Sequence, residues 1–305
     1  MSASFSDDEI RASAMAFVTQ LEADGDGFVR SRDLGTFSLA GRAIPLLAHM
    51  KGIQVLPESD VALTIRTTFS ARPEDRPYED VLGSDSFLRY KRMRGNAESR
   101  ENNALRAAMT HRKPLIWFLG VAPAVFRALY PVWIVDEEAS QEQFVVALTE
   151  DLMFQWDREF VHPADQALRR EYADAVVRRR VHQPMFRYRV LTAYARQCAL
   201  CHLRHAPLLD AAHIKEDSDG GEPIVPNGVA MCAIHHRAFD NAVLGIRPDY
   251  VIEIREDVLT EIDGPTLLHA LQGLHATRLT LPRSRPSWPR QDLLEERYAR
   301  FKAAS

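Results

Sequence analysis

The hydrophobic positions begin at a helical period and then change. Ile10, Ala14, Phe17, Val18 and Leu21 recur on one face behind a Ser6–Glu9 capping box, which predicts an amphipathic first helix. Asp24-Gly25-Asp26-Gly27 should end it. That run is not a calcium loop, because Phe28 stands where a third oxygen ligand is required. From about Gly35 to Leu148 the apolar positions shorten into runs such as Val61–Thr68, Pro114–Val121 and Pro131–Val135. These predict strands, with one helix near Asn103–Met109. Helical periodicity returns from Ala164 to Arg180, with Leu168, Tyr172 and Val176 on one stripe. Pro184 then starts a second helix carrying Phe186, Val190 and Tyr194. After Pro282, Pro286 and Pro289 a short terminal helix is expected from about Gln291. Internal repeats and low-complexity segments are absent from the sequence.

The pattern therefore predicts an α+β chain in three parts. A mostly β domain with flanking helices occupies residues 1–160, a helical linker 161–184, and a second domain 185–305. The 305 residues are enough for two cores, and 46% hydrophobic with 26% charged residues is the balance of a soluble globular protein. The N-terminus is acidic at Asp7, Asp8 and Glu9, and no apolar run reaches membrane-spanning length. A cytoplasmic protein with no membrane partner is expected.

A net charge of −4 excludes a chain that is basic throughout, so any nucleic-acid surface must be local. Such a surface is legible. Between Asp174 and Asp210 there is no acidic residue, while Arg178, Arg179, Arg180, Arg187, Arg189, Arg196 and Arg204 all fall there. The first five are candidates for contacts to a DNA backbone.

Directly after this run come Cys198-Ala-Leu-Cys201 and, later, Cys232-Ala-Ile-His235. Two ligands separated by two residues form a knuckle on one ion, and two knuckles complete a closed tetrahedral Cys3His zinc site. All three cysteines of the chain are used, which disfavours both a disulfide framework and three inert thiols. Cys198-Ala-Leu-Cys201-His202 also fits a haem attachment motif, but that reading needs export and leaves Cys232 and His235 unexplained. The zinc would be structural.

Between the knuckles, Leu208-Leu-Asp-Ala-Ala-His213-Ile reads as a strand with one histidine, followed by a Gly-rich loop and Asn227-Gly228. His236 and Asp240 are four apart, on one helical face, and can hold one cation. The strand, the asparagine loop and the ligand-bearing helix resemble the ββα-metal, or HNH, endonuclease family, with His-to-Asn and Asn-to-His spacings of 14 and 9. The resemblance covers about Arg187 to Asp240. It implies His213 as the general base that takes a proton from the attacking water, Asn227 as the residue that ties loop to strand and orients His213, and His236 as a ligand of a catalytic Mg²⁺ or Mn²⁺. It also implies 5′-phosphate and 3′-hydroxyl products. The family often has an acid or histidine immediately before the general base, where this chain has Ala212. Asp210 and Asp240 are the candidates to replace it.

The N-terminal part carries Tyr78-Glu-Asp80-Val-Leu-Gly-Ser-Asp85-Ser-Phe-Leu-Arg-Tyr90, then the helix start at Asn103. This is similar to the SRA domain, a PUA-like reader that flips 5-methylcytosine out of the duplex. In that family two tyrosines twelve residues apart bound the pocket, a separation that Tyr78 and Tyr90 keep. Aromatic faces recover stacking energy, and a carboxylate accepts from the exocyclic amine. The family's pocket acid is the fourth residue of its run, here Val81, so Asp80 or Asp85 would have to serve. The order of the two parts resembles the SRA-HNH modification-dependent restriction endonucleases. That family implies double-stranded DNA with modified cytosine as partner, with acceptance of 5-hydroxymethylcytosine left open, and a homodimer joined through the nuclease domains. Two other expectations stay open: a nuclease whose β domain reads another mark or unmodified DNA, and a zinc-stabilised DNA-binding module without catalysis.

Overall fold

The computed structural model describes residues 5–48, 51–69, 83, 85–93, 95–157 and 163–304. The chain divides into two compact units, Met1–Val181 and His182–Ser305.

The first unit opens with α1 (Asp7–Asp24), whose Ser6–Glu9 capping box is formed in both directions. Ile10, Ala14 and Val18 are its buried face, as the period required. Next come β1 (Val29–Arg30), α2 (Ser31–Leu34), β2 (Ser38–Leu39), β3 (Arg42–Ala43), β4 (Ile53–Val55), β5 (Ala62–Thr67) and β6 (Leu88–Lys91). After α3 (Arg100–Thr110) run β7 (Leu115–Ala122), β8 (Val125–Glu138) and β9 (Gln143–Ala147), then α4 (Glu150–Trp156) and α5 (Pro163–Val177). The main sheet has the order β4-β5-β7-β8-β9-β6, with β1 on β8. Only β5–β7 is parallel among these pairs.

Strand β7 lies inside this sheet, and Leu115 through Val121 are all buried. A strand covered on both faces has no reason to alternate, which accounts for the unbroken apolar run in the sequence. Trp117 at its centre donates its indole N–H to the Thr67 hydroxyl at 2.9 Å. Gly120 is required for space: a Cβ there would sit 2.4 Å from the Phe69 amide nitrogen. One expected stripe is displaced. On α5, Leu168 is 65% exposed and Tyr172 39%, while Ala173 and Val177 are buried. The packing face is therefore set by small residues beside the stripe, and large side chains are left outside.

The second unit begins with α6 (Gln183–Ala193) and continues with the hairpin of β10 (Leu209–His213) and β11 (Gly228–Cys232), then α7 (Ala233–Asp240). A second hairpin, β12 (Leu244–Ile246) and β13 (Ile252–Ile254), is followed by α8 (Glu256–Thr260), α9 (Pro265–Ala270) and α10 (Gln291–Ala303). One core joins Phe186 and Val190 of α6, Ala211 and Ala212 of β10, Val229 to Met231 of β11, Phe239 of α7 and Leu294 of α10. No helix among the described residues is long and apolar enough to cross a membrane.

Candidate active site and metal centre

The hairpin sets the frame for both sites. Its register pairs Leu209 with Cys232, Asp210 with Met231 and His213 with Gly228. The second knuckle is thereby placed at the end of β11, where the chain turns straight into α7.

Cys198, Cys201, Cys232 and His235 present ligand atoms that all lie within 4.8 Å of one another. Cys198 and Cys232 Sγ are 3.3 and 3.2 Å from His235 Nδ1, and the Cys201 and Cys232 sulfurs are 4.0 Å apart. Sulfurs on one tetrahedral zinc, at Zn–S distances of about 2.3 Å, lie about 3.8 Å apart, so the donor set fits that ion. The tautomer fits as well. His235 Nε2 is 2.7 Å from the Ala270 carbonyl, which can only accept, so Nε2 carries the proton and Nδ1 turns its lone pair to the thiols. Ala270, at the end of α9, was not legible as part of this site, because a backbone carbonyl leaves no mark in a sequence.

A second constellation lies on the hairpin and α7. His236 Nδ1 is 3.4 Å from Asp210 Oδ2, and its Nε2 is 3.5 Å from Asp240 Oδ2. The two carboxylates flank the imidazole on opposite sides and do not converge on one point. Arg187 Nε is 3.6 Å from Asp210, and Arg297 Nη2 is 3.6 Å from Asp240. Arg187, Leu209, Asp210, His236, Arg237 and Asp240 line a cleft of about 380 Å³. Its bond to Asp210, against the effect of burial, holds the His236 pKa above the ordinary imidazole value.

His213 ends β10, half-buried, and burial pushes its imidazole pKa down despite the nearby Asp217, Glu216 and Asp210. Its ring lies flat on Phe186, with centroids 3.9 Å apart and planes 12° from parallel. Phe186 was read in the sequence only as an apolar helix position.

Asn227 is 1% exposed. Its Oδ1 accepts from the Lys215 amide, and its Nδ2 donates to the carbonyls of Lys215 and Glu222, all at 2.9 Å. Its own carbonyl accepts from the Ile214 amide at 3.0 Å. The side chain thus closes the 215–222 loop through the backbone next to His213, and its amide reaches the loop, not the imidazole ring. Gly221 is needed here, since a Cβ would lie 2.0 Å from the Lys215 carbonyl oxygen.

The predicted cations separate. Arg178 and Arg179 are exposed, and Arg189 is half-buried. Arg180 points inward: its guanidinium donates to the carbonyls of Leu148 and, at 2.6 Å, Tyr130. A phosphate contact would require it to surrender both. Arg187 donates to the carbonyls of Ala206 and Leu209 and belongs to the cleft.

In the first unit, Tyr78 and Asp80 lie outside the described residues. Tyr90 is a core residue, 6% exposed, with its ring edge-on to Trp117 at 5.6 Å and its hydroxyl donating to the Gly52 carbonyl at 3.0 Å. Asp85 is engaged with Arg89 at 2.8 Å and with the Phe87 amide at 3.1 Å.

Residues 198–247 match the family model for HNH endonucleases. Among solved structures, the chain is similar to a modification-dependent TagI restriction endonuclease, with 15% identity over 84% of this chain and 87% of that one, at a TM-score of 0.31. It is also similar to the Type IV phosphorothioation-dependent restriction endonuclease ScoMcrA, with 14% identity over 58% of this chain and 46% of that one, at a TM-score of 0.22. No curated protein matches the chain. The stretch that holds both knuckles, His213, Asn227 and His236 is an HNH endonuclease domain.

Proposed function

We propose that this protein is a metal-dependent DNA endonuclease that cuts through residues 185–305 and selects DNA carrying modified cytosine through residues 1–160. The observation that supports the cutting half is the Asp210–His236 pair between the hairpin and α7, with the half-buried His213 at the end of the same strand. His213 takes a proton from water, and the oxygen so freed attacks the phosphorus. His236 Nδ1 and Asp210 would hold Mg²⁺ or Mn²⁺, which when bound neutralises the phosphate and stabilises the leaving 3′ oxygen. Asp210 is preferred over Asp240 because it lies on the same strand as His213, three residues before it. Asp240, 3.5 Å from His236 Nε2 and with Arg297 beside it, then acts on the far side of the ring by its charge. Asn227 holds the loop that follows the base. Cys198, Cys201, Cys232 and His235 would hold a structural Zn²⁺. Arg178, Arg179 and Arg189 supply phosphate contacts.

The reader half rests on the similarity of the run from Tyr78 to Tyr90 to SRA pockets, with 5-methylcytosine or 5-hydroxymethylcytosine as the flipped base. A second reading, the same nuclease reading another mark, is favoured by the packing of Tyr90 and the engagement of Asp85. One experiment separates them. A plasmid with or without cytosine methylation is incubated with the protein and Mg²⁺ or Mn²⁺, and methylated plasmid alone should be cut. Equal cutting of both removes modified cytosine as the mark. His213→Ala should bind the methylated plasmid and leave it intact; cutting by that variant removes the general-base assignment.

A further inference from the structure

A histidine that acts as a base needs its ring plane held, because rotation about its last side-chain torsion is soft. In most sites a hydrogen bond to the second ring nitrogen does this. His213 differs. Neither of its ring nitrogens has a hydrogen-bond partner among the described residues, and the Asn227 amide is spent on backbone groups of the loop. Among the described residues, the aromatic contact that lies flat on the ring is the stack on Phe186.

The hairpin is built to admit that stack. Gly228 is the register partner of His213, and its backbone is extended, so its lack of a side chain serves space and not conformation. A Cβ at Gly228 would lie 2.6 Å from Val190 Cγ2 and 2.7 Å from Phe186 Cζ. Phe186, 2% exposed, thus has its ring tip over the bare backbone of β11 and its face on the imidazole of β10. The same face favours the imidazolium that forms when the base has taken its proton, through a cation–π contact.

We infer that Phe186 is a positioning residue for the reaction: an aromatic platform, admitted by Gly228, that sets the ring plane of His213. The inference rests on the reading of His213 as general base, and the test is arranged so that the two can fail separately. Phe186→Leu and Phe186→Met keep apolar bulk and remove the flat face. Val190→Ala, which also loses packing on Gly228, is the control for core destabilisation. In the full-length protein with neither DNA nor cation, the His213 ring protons are read by NMR. In Phe186→Leu and Phe186→Met they should lose the upfield ring-current shift, and in Val190→Ala they should keep it. Single-turnover cutting of methylated plasmid by the two Phe186 variants should fall roughly two- to tenfold below Val190→Ala, the worth of one aromatic pair, at unchanged DNA affinity. Unmoved ring signals in both variants, or cutting equal to that of Val190→Ala, overturns the inference. If the signals move but His213→Ala still cuts, the platform stands as structure and the general-base reading has failed.

Discussion

His213 and His236 are both half-buried imidazoles in one unit, yet their surroundings drive them apart. Burial dominates at His213 and lowers its pKa, while the Asp210 carboxylate dominates at His236 and raises it. The sign sets a pH dependence. Under the general-base reading His213 must be neutral, so cutting should be lost as pH falls through a value below 6.5, the ordinary imidazole value. A pH–rate profile under single-turnover conditions at saturating Mg²⁺, where protonation of His236 does not limit cation binding, checks this, and an acid limb at or above 6.5 would show that burial does not govern the base. The two carboxylates beside His236 should also be unequal. Asp210→Asn should cost more than about 100-fold in cutting rate and raise the Mg²⁺ concentration needed. Asp240→Asn, acting through the ring, should cost about 10-fold. A reversed order, measured by cation titration, would move the ligand role to Asp240.

At the scale of elements, the hairpin β10–β11 and helix α7 are short, five, five and eight residues. Pieces of this size are marginal alone, and the Cys3His cluster ties the Cys198–Cys201 turn to the junction of β11 and α7. One zinc per chain is therefore expected by metal analysis. Chelation or Cys232→Ser should lower the thermal transition of the chain, because binding free energy at such a site is folding free energy. His213→Ala should leave that transition close to wild type. A transition unmoved by zinc removal would show that the apolar core around Ala212 and Met231 suffices without the ion.

For the whole molecule, the net charge of −4 means that DNA affinity must come from local cations, so it should weaken steeply with salt. Under the proposed function each chain carries one His213–His236 centre, and one such centre would hydrolyse one strand. A double-strand break thus needs two chains or two visits. Under the homodimer reading, linear plasmid should appear without a long-lived nicked circle at high protein concentration, and nicked circle should accumulate on dilution. Gel analysis over a protein titration decides it, and nicked circle at every concentration would remove the dimer from the cutting step.

How much was legible in the sequence differs by range along the chain. The two knuckles, the capped first helix, the buried strand around Trp117 and the terminal helix from Gln291 are local patterns, and local spacing decides which side chains share a face or a turn. The sequence by itself picked out Cys198, Cys201, Cys232 and His235, which do cluster, and named His213, Asn227 and His236 as a group, because each knuckle spans four residues and the rest lie within one short segment. Only the tertiary structure decided which partners these residues take. The Phe186 platform comes from 27 residues before His213, and the Ala270 carbonyl from 35 residues after His235. Arg180, read as a phosphate contact, is turned inward by carbonyls 32 and 50 residues away. Spacing cannot encode such contacts, since they depend on how separate elements pack, and an apolar or basic residue looks the same in sequence whether it faces a core, a carbonyl or an imidazole.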